Sequence, residues 1–326
     1  MNENWTFAKI WNESLDQREQ KPVKPRDIIW ASELGKPDIE IYLKLLGEEP
    51  TNPFNSRVLR KFEAGNIWEW IVKLILIRCG IYQESQKWIG GELNGCLKVS
   101  GKLDHIAGGK PNYEKARNEI EQLLLPDVFK RAVEKILFHF ATSYPEGLEE
   151  KILEVKSLSS FGYDKVEFTG KPIRGHDLQT FHYAKNLNKN ASIVYICRDD
   201  SRMMEIFIPK DDKELNQKYE EKIKSISNYY FKKETPPIES PIIFDEEEKK
   251  FSKNFGAEYS SYLTKLYGVK DQAEFDEKYS PSVERWNRVI SRIKEKKELT
   301  DNNKQAISEM ADFGIDITNR LLNQNG

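Results

Sequence analysis

The stretch Ile152-Leu153-Glu154-Val155-Lys156-Ser157 decides how this chain folds. Ile152, Leu153 and Val155 mark a strand inside a sheet, and the two-residue period of a strand sends Glu154 and Lys156 out of one face. A carboxylate and an ammonium therefore enter the same pocket. Charges placed within a sheet cost free energy unless they are paired or hold a metal, so a further acid is expected nearby. Asp104 supplies it, at the end of Lys98-Val99-Ser100-Gly101-Lys102-Leu103-Asp104, a second strand-like run in which a glycine lets the backbone bend before the acid. Strands are also expected near 86–90, 95–107, 150–157, 191–198 and 203–208, with helices near 38–47, 58–79 and 212–231. The pattern predicts an α/β fold, a central mixed β-sheet flanked by helices.

Two acids and one lysine suit phosphodiester hydrolysis. Magnesium takes hard oxygen ligands, often one or two carboxylates plus phosphate oxygens. Asp104 and Glu154 would bring the charge and the Val155 carbonyl a neutral ligand. Lys156 would then position the attacking water or neutralise the transition state. The alternative is an ordinary ion pair plus a turn acid, which a chain with 32% charged residues supplies often.

Beyond this strand lies His176-Asp177-Leu178-Gln179-Thr180-Phe181-His182-Tyr183-Ala184, a helical stretch entered through Gly175. His176, Gln179 and Tyr183 share one helix face at i, i+3 and i+7. The ordered set Gly101-x-x-Asp104, Glu154-x-Lys156 and Gln179-x-x-x-Tyr183 resembles the RecB-like branch of the PD-(D/E)xK nucleases. That branch includes the RecB and AddAB nuclease domains, lambda-type phage exonucleases and CRISPR-associated RecB-like adaptation nucleases.

The resemblance extends upstream. Arg60-Lys61-Phe62-Glu63-Ala64-Gly65-Asn66-Ile67-Trp68-Glu69 looks like the family's first motif, Gly-x-x-His-Glu, with Gly65 and Glu69 in register and Trp68 where relatives often have a metal-binding histidine. The resemblance implies a restriction-endonuclease-like core, Glu69 near the metal, and Gln179 and Tyr183 orienting the site or the substrate backbone. It also implies a magnesium- or manganese-dependent deoxyribonuclease, an exonuclease or an end- or single-strand-acting enzyme of phage recombination, repair or defence. A non-catalytic DNA-binding or assembly subunit that kept the fold is the alternative, encouraged by Trp68. In the helix itself, Ile67, Ile71, Leu74 and Ile75 have the spacing of a core face. Several relatives hold an iron–sulfur cluster on four cysteines. Here Cys79, Cys96 and Cys197 are widely spaced and in no ligand pattern, so no cluster is expected.

The 326 residues carry a net charge of −2, which argues against a wholly basic surface, yet local charge matters more than the sum. Arg60, Lys165, Lys171, Arg174 and His176 are the candidate substrate-binding residues, flanking the acids where a DNA backbone would run. Between the catalytic strand and the Gln179 helix, residues 157–175 read as a loop in which Phe161, Tyr163 and Phe168 interleave with charges and could stack on unpaired bases. A mean hydropathy of −0.69, no apolar run near membrane-spanning length and no basic-then-apolar start at Met1-Asn2-Glu3-Asn4-Trp5 predict a cytoplasmic protein of a bacterium or phage-infected cell. DNA is the expected partner, with a homo-oligomer or a recombination or defence protein also compatible.

Along the chain, 1–25 reads as a polar linker containing Lys21-Pro22-Val23-Lys24-Pro25, 26–265 as the nuclease domain, and 266–326 as a helical extension. A helical insertion is expected at about 110–148, with an apolar stripe of Ile120, Leu123, Leu124, Val128, Ala132, Ile136 and Phe140 and a corner near Pro126. It would narrow access to the metal acids. From 255 the pattern is again helical, with spacing at Tyr259, Leu263 and Leu266, at Val283, Trp286, Val289, Ile290 and Ile293, and at Ile307, Met310, Phe313 and Ile317.

Overall fold

Glu154 and Lys156 lie on the middle strand of a five-stranded sheet, in a computed structural model that describes residues 6–16, 22–123, 133–246, 248–295 and 298–313. In chain order the elements are α1 (Phe7–Asp16), β1 (Ile28–Trp30), a 3-10 turn (Ala31–Glu33), α2 (Asp38–Leu45), α3 (Ser56–Arg78), β2 (Tyr82–Ser85), β3 (Trp88–Gly91), β4 (Lys98–Lys102) and β5 (His105–Gly109). There follow α4 (Tyr113–Gln122), α5 (Val133–Ser143), β6 (Leu148–Leu158), α6 (Ser160–Thr169), α7 (His176–Leu187), β7 (Ala191–Cys197), β8 (Met203–Ile208) and α8 (Lys213–Lys232). The chain ends with β9 (Ile242–Asp245), β10 (Lys250–Lys253), α9 (Phe255–Glu258), α10 (Leu263–Tyr267), α11 (Gln272–Lys294) and α12 (Asp301–Asp312). They form two compact units, one of 1–36, 45–47 and 54–234, the other of 37–44, 48–53 and 235–326.

The large sheet has the order β2-β5-β6-β7-β8 and is mixed, as the sequence predicts. β6 and β7 run parallel, with Glu154 opposite Ile193 and Lys156 opposite Tyr195, while the other neighbours are antiparallel. A parallel pair needs a crossover, and α6 and α7 provide it. β7 is buried at every position, which explains why it is apolar but for Ser192, whose hydroxyl accepts from Lys151 at 3.2 Å. A second sheet, β1-β4-β3, carries the glycine-containing run that leads to Asp104.

Helix α3 starts at an Asn55 cap, whose side chain accepts the Val58 N–H at 3.1 Å. Its core face matches the expected one only in part: Leu74 is buried, whereas Ile67 is 59% and Ile75 44% exposed. Trp68, Val72 and Leu76 pack against Leu153, Val155, Val194 and Ile196 of the sheet, and Ile77 packs on Ala116, Ile120 and Leu137 from α4 and α5. The helix serves two partners, so its apolar residues do not fall on one stripe.

Three other segments depart from the sequence reading. Residues 157–175 hold helix α6 rather than a loop, opened by the Ser159 cap and closed at Gly170 in the left-handed region (φ 63°). Residues 7–16 of the expected linker are helical, and Trp11 donates to Glu63 at 3.0 Å. Residues 242–245 and 250–253, outside the strands expected from sequence, pair antiparallel as β9 and β10. In the insertion, α4 and α5 match the expected helicity. Its corner at Pro126, with Leu124, Val128 and Ala132, lies outside the described residues, as do Met1–Trp5, Lys21 and Ile317.

The second unit has its own core, in which Trp286, Val289, Ile290 and Met310 meet Phe244, Phe251 and Phe275. Among the described residues no helix is long and apolar enough to cross a membrane.

Candidate active site

Glu154 is 1% exposed, and its Oε1 accepts from the Lys156 ammonium at 2.6 Å and from the Gln179 amide at 2.7 Å. Its other oxygen, Oε2, is buried with no hydrogen-bond partner. Burial pushes the carboxyl pKa up to about 8, Asp104 adds to the rise, and Lys156 opposes it. Burial pulls on Lys156 in the opposite sense, but Glu154 and Asp104 more than offset this and its pKa is raised. The ammonium thus stays charged beside a carboxyl that readily holds a proton.

Asp104 sits between β4 and β5, and its Oδ2 accepts the Val155 N–H at 2.8 Å. That bond has a topological cause. β5 pairs with β6 only as far as His105 opposite Leu153, so the next backbone groups on that edge, those of Val155, meet a side chain instead of a strand. A strand residue sends its N–H and C=O to the same edge. The Val155 carbonyl therefore faces the Asp104 side.

Gln179 reaches Glu154 from the first turn of α7 and also contacts the Tyr183 hydroxyl at 3.4 Å, which donates to the Lys102 carbonyl at 3.2 Å. Tyr183 is 1% exposed and lies over Gly101, where a Cβ would stand 2.6 Å from its hydroxyl. The glycine that the sequence suggests for bending a strand is needed here for this close approach. Another pair of glycines sets the entry of α7: a Cβ on Gly175 (φ 71°) would lie 2.2 Å from the Gly35 Cα, and one on Gly35 would lie 2.1 Å from the Arg174 oxygen. The two backbones cross with no room for a side chain.

Glu69 accepts from the Gln86 side chain. Burial and then Asp104 raise its pKa, while Gln86, Lys156 and Lys102 oppose the rise. Glu69 therefore stands within electrostatic range of the Asp104–Lys156 group. Its neighbour Trp68 faces the core side, packed against the cluster that contains Val155. His105 is buried, with Nε2 at 3.1 Å from the Glu69 carbonyl.

Among the described residues no group of three or more His, Cys, Asp or Glu side chains is arranged to hold a metal. Magnesium needs fewer, because it retains water and binds through one or two carboxylates. The unpartnered Glu154 Oε2, buried near the Asp104 charge, fits that need, and an all-oxygen donor set of Asp104, Glu154 and the Val155 carbonyl suits a hard cation.

The candidate substrate residues are distributed differently. His176 is near Lys156, but burial first, then Lys156 and Arg174, hold its pKa well below the usual histidine range. Its Nδ1 contacts the Tyr195 hydroxyl at 3.0 Å. His176 is therefore a neutral packing partner rather than a cation for phosphate. Arg60 is turned to α1, bonded to Asn12 with its guanidinium 5.8 Å from the Trp11 ring. Lys165, Lys171 and Arg174 are exposed. One group escaped sequence reading, Gln86, which meets Glu69; Lys61, in the first-motif stretch, has its ammonium depressed by burial and then by the cations Arg198, Arg57 and Arg174. These cations come from separate segments, so no motif joins them.

No protein-family model matches the chain, and no curated protein matches it in sequence. Among solved structures, SSO0001 is 16% identical with a TM-score of 0.39, over 68% of this chain and 87% of that one. An alkaline exonuclease (LHK-Exo) from Laribacter hongkongensis is 12% identical with a TM-score of 0.36, over 69% and 96%. The same exonuclease in complex with dAMP gives 13% and 0.38, over 64% and 89%. Likenesses of this extent carry no functional argument, and the site is read from its own residues.

Proposed function

We propose that this protein is a metal-dependent deoxyribonuclease that hydrolyses phosphodiester bonds at strand ends or in single strands, in the manner of RecB-like nucleases. The observation that carries the reading is the buried Glu154, bonded through Oε1 to Lys156 and Gln179 while Oε2 is left unpartnered beside Asp104. Asp104, Glu154 and the Val155 carbonyl would hold magnesium or manganese, with Glu69 next to them. When bound, the ion would supply Lewis acidity, lowering the pKa of water and steadying charge on the phosphoryl oxygens.

The remaining work belongs to the chain. Lys156 keeps its proton and offers an N–H donor for the attacking water or a phosphate oxygen. Gln179 fixes Glu154 Oε1, and Tyr183, tied to the Lys102 carbonyl, holds the α7 face against the strand that leads to Asp104. No iron–sulfur cluster is part of the reading. DNA is the proposed partner, and the proposed setting is a cytoplasm in which recombination, repair or defence takes place.

A second reading, a DNA-binding or assembly subunit that no longer cuts, is favoured by Trp68, which stands where related nucleases often carry a metal-binding histidine. One experiment separates the two: cleavage of single-stranded and duplex DNA with magnesium or manganese, using Lys156→Ala and Asp104→Ala as controls. The nuclease reading expects cleavage by the wild type and loss in both variants. No cleavage by the wild type with either metal would overturn it.

A further inference from the structure

Helix α6 begins four residues after Lys156 and exposes two phenylalanines to solvent, Phe161 at 82% and Phe168 at 92%. Phe161, Lys165 and Phe168 stand at i, i+4 and i+7 and share one face. The opposite face is buried through Gly162, Tyr163 and Val166. Tyr163, which sequence alone grouped with the two phenylalanines, is instead covered by Arg202 at 4.7 Å. Arg202 also bonds both acids of the helix, Asp164 at 2.7 Å and Glu167 at 3.1 Å. Lys165 has no such partner among the described residues. The outward face is thus aromatic, cationic, aromatic, with the helix's negative charge tied up elsewhere.

Its position is also fixed. The Arg198 N–H donates to the Leu158 carbonyl at 2.9 Å, and Asp199 accepts from the Ser160 N–H and hydroxyl at 2.7 and 2.8 Å. The start of α6 is therefore pinned to the carboxyl ends of β6 and β7. Arg198 leaves that same end and acts on Lys61 together with Arg57 and Arg174. A cationic cluster and a pair of free rings adjoin the strand that bears Glu154 and Lys156.

We propose that the Phe161–Lys165–Phe168 face of α6 is a stacking platform for unpaired bases that selects single-stranded nucleic acid at the neighbouring site. The proposal rests on the nuclease reading for its substrate class. Seven helical residues span about 10.5 Å, close to three stacked base steps of about 3.4 Å, and every base has a π-face a ring can meet. Duplex bases are already stacked and offer the rings nothing. A protein partner is a poorer fit, because stable interfaces are built around a contiguous apolar patch and here a charge separates two lone rings.

The test is fluorescence anisotropy on the full chain, in EDTA so that no strand is cut, with a single-stranded oligothymidylate and a blunt duplex. Phe161→Ala and Phe168→Ala should each weaken single-strand binding about five-fold and the double variant about 25-fold, with the duplex changed less than about two-fold. Phe161→Trp and Phe168→Trp should retain binding, and Lys165→Gln should reduce the salt slope by about 0.7. Unchanged single-strand affinity in the double variant, or equal losses on both DNAs, would overturn the proposal. So would a sedimentation shift from oligomer to monomer in that variant with DNA affinity intact. Cleavage of the same oligomer with magnesium or manganese keeps the two readings apart. Ring-dependent binding without wild-type cleavage removes the nuclease and leaves the platform, whereas cleavage with ring-independent binding does the reverse.

Discussion

Metal binding at Glu154 should expel a proton, and the number expelled follows from its burial. The carboxyl titrates at about 8 in the fold against an ordinary 4.5, raised first by burial and then by Asp104. At pH 7 about nine in ten molecules then hold the proton, and at pH 9 about one in ten. A cation needs the carboxylate, so binding should release about 0.9 proton at pH 7 and about 0.1 at pH 9. Apparent affinity should be about ten-fold weaker at pH 7 than its high-pH limit, and about 100-fold weaker at pH 6. The same shift acts on stability without metal. Between pH 4.5 and 8 the unfolded chain has lost this proton while the fold keeps it, so stability falls as pH rises through that window and levels off above it. Isothermal titration with magnesium or manganese in buffers of different ionisation enthalpy reads the proton count. Release near zero at pH 7, or the same release in Glu154→Gln, would refute the reasoning.

Lys156→Ala should lower the cleavage rate at least 100-fold, measured in single-turnover assays, and should raise the Glu154 pKa further because a charge that lowers it is gone. Gly101→Ala should drive a Cβ into the Tyr183 hydroxyl and the Ala31 side chain, both at 2.6 Å, costing about 1–3 kcal/mol by denaturant unfolding. Tyr183→Phe should cost about 1 kcal/mol through loss of the bond to the Lys102 carbonyl and should act on kcat more than on KM. Trp286→Ala, in the second unit's core, should cost about 3–5 kcal/mol, read as a lowered thermal transition of that unit.

Legibility in the sequence followed the physics of each segment. β6 and β7 were readable because strand period and buried charge coincide in Glu154-Val155-Lys156, and because β7 is apolar but for Ser192. The Gln179–Tyr183 face was readable because helical spacing puts both on one side of α7, where Gln179 bonds Glu154 and touches the Tyr183 hydroxyl. Helix α6 was missed because its apolar residues divide between a buried face, Tyr163 and Val166, and an exposed one, Phe161 and Phe168, leaving no periodic signal. β1 and β2 are three and four residues long, too short for alternation to stand out. Side-chain contacts across distant segments, such as Gln86 on Glu69, have no local spacing to find.

The geometry of α3 explains how the chain accommodates Trp68 where a related pattern places histidine. Position 68 is in helical register with Val72 and Leu76, and all three lie on the cluster formed with Val155 and Val194. Position 69 is turned about 100° around the axis, and its carboxylate acts on the Asp104–Lys156 side. A large ring at 68 therefore fills the space behind β6, on the side away from the acids, and presses α3 onto the strand whose edge holds Val155 to Asp104. On the proposed reading, the ligand that a histidine would contribute gives way to packing that steadies the Val155 backbone beside Asp104. On the same reading the negative charge comes from Asp104, Glu154 and Glu69, all oxygen donors of the kind that magnesium or manganese would take.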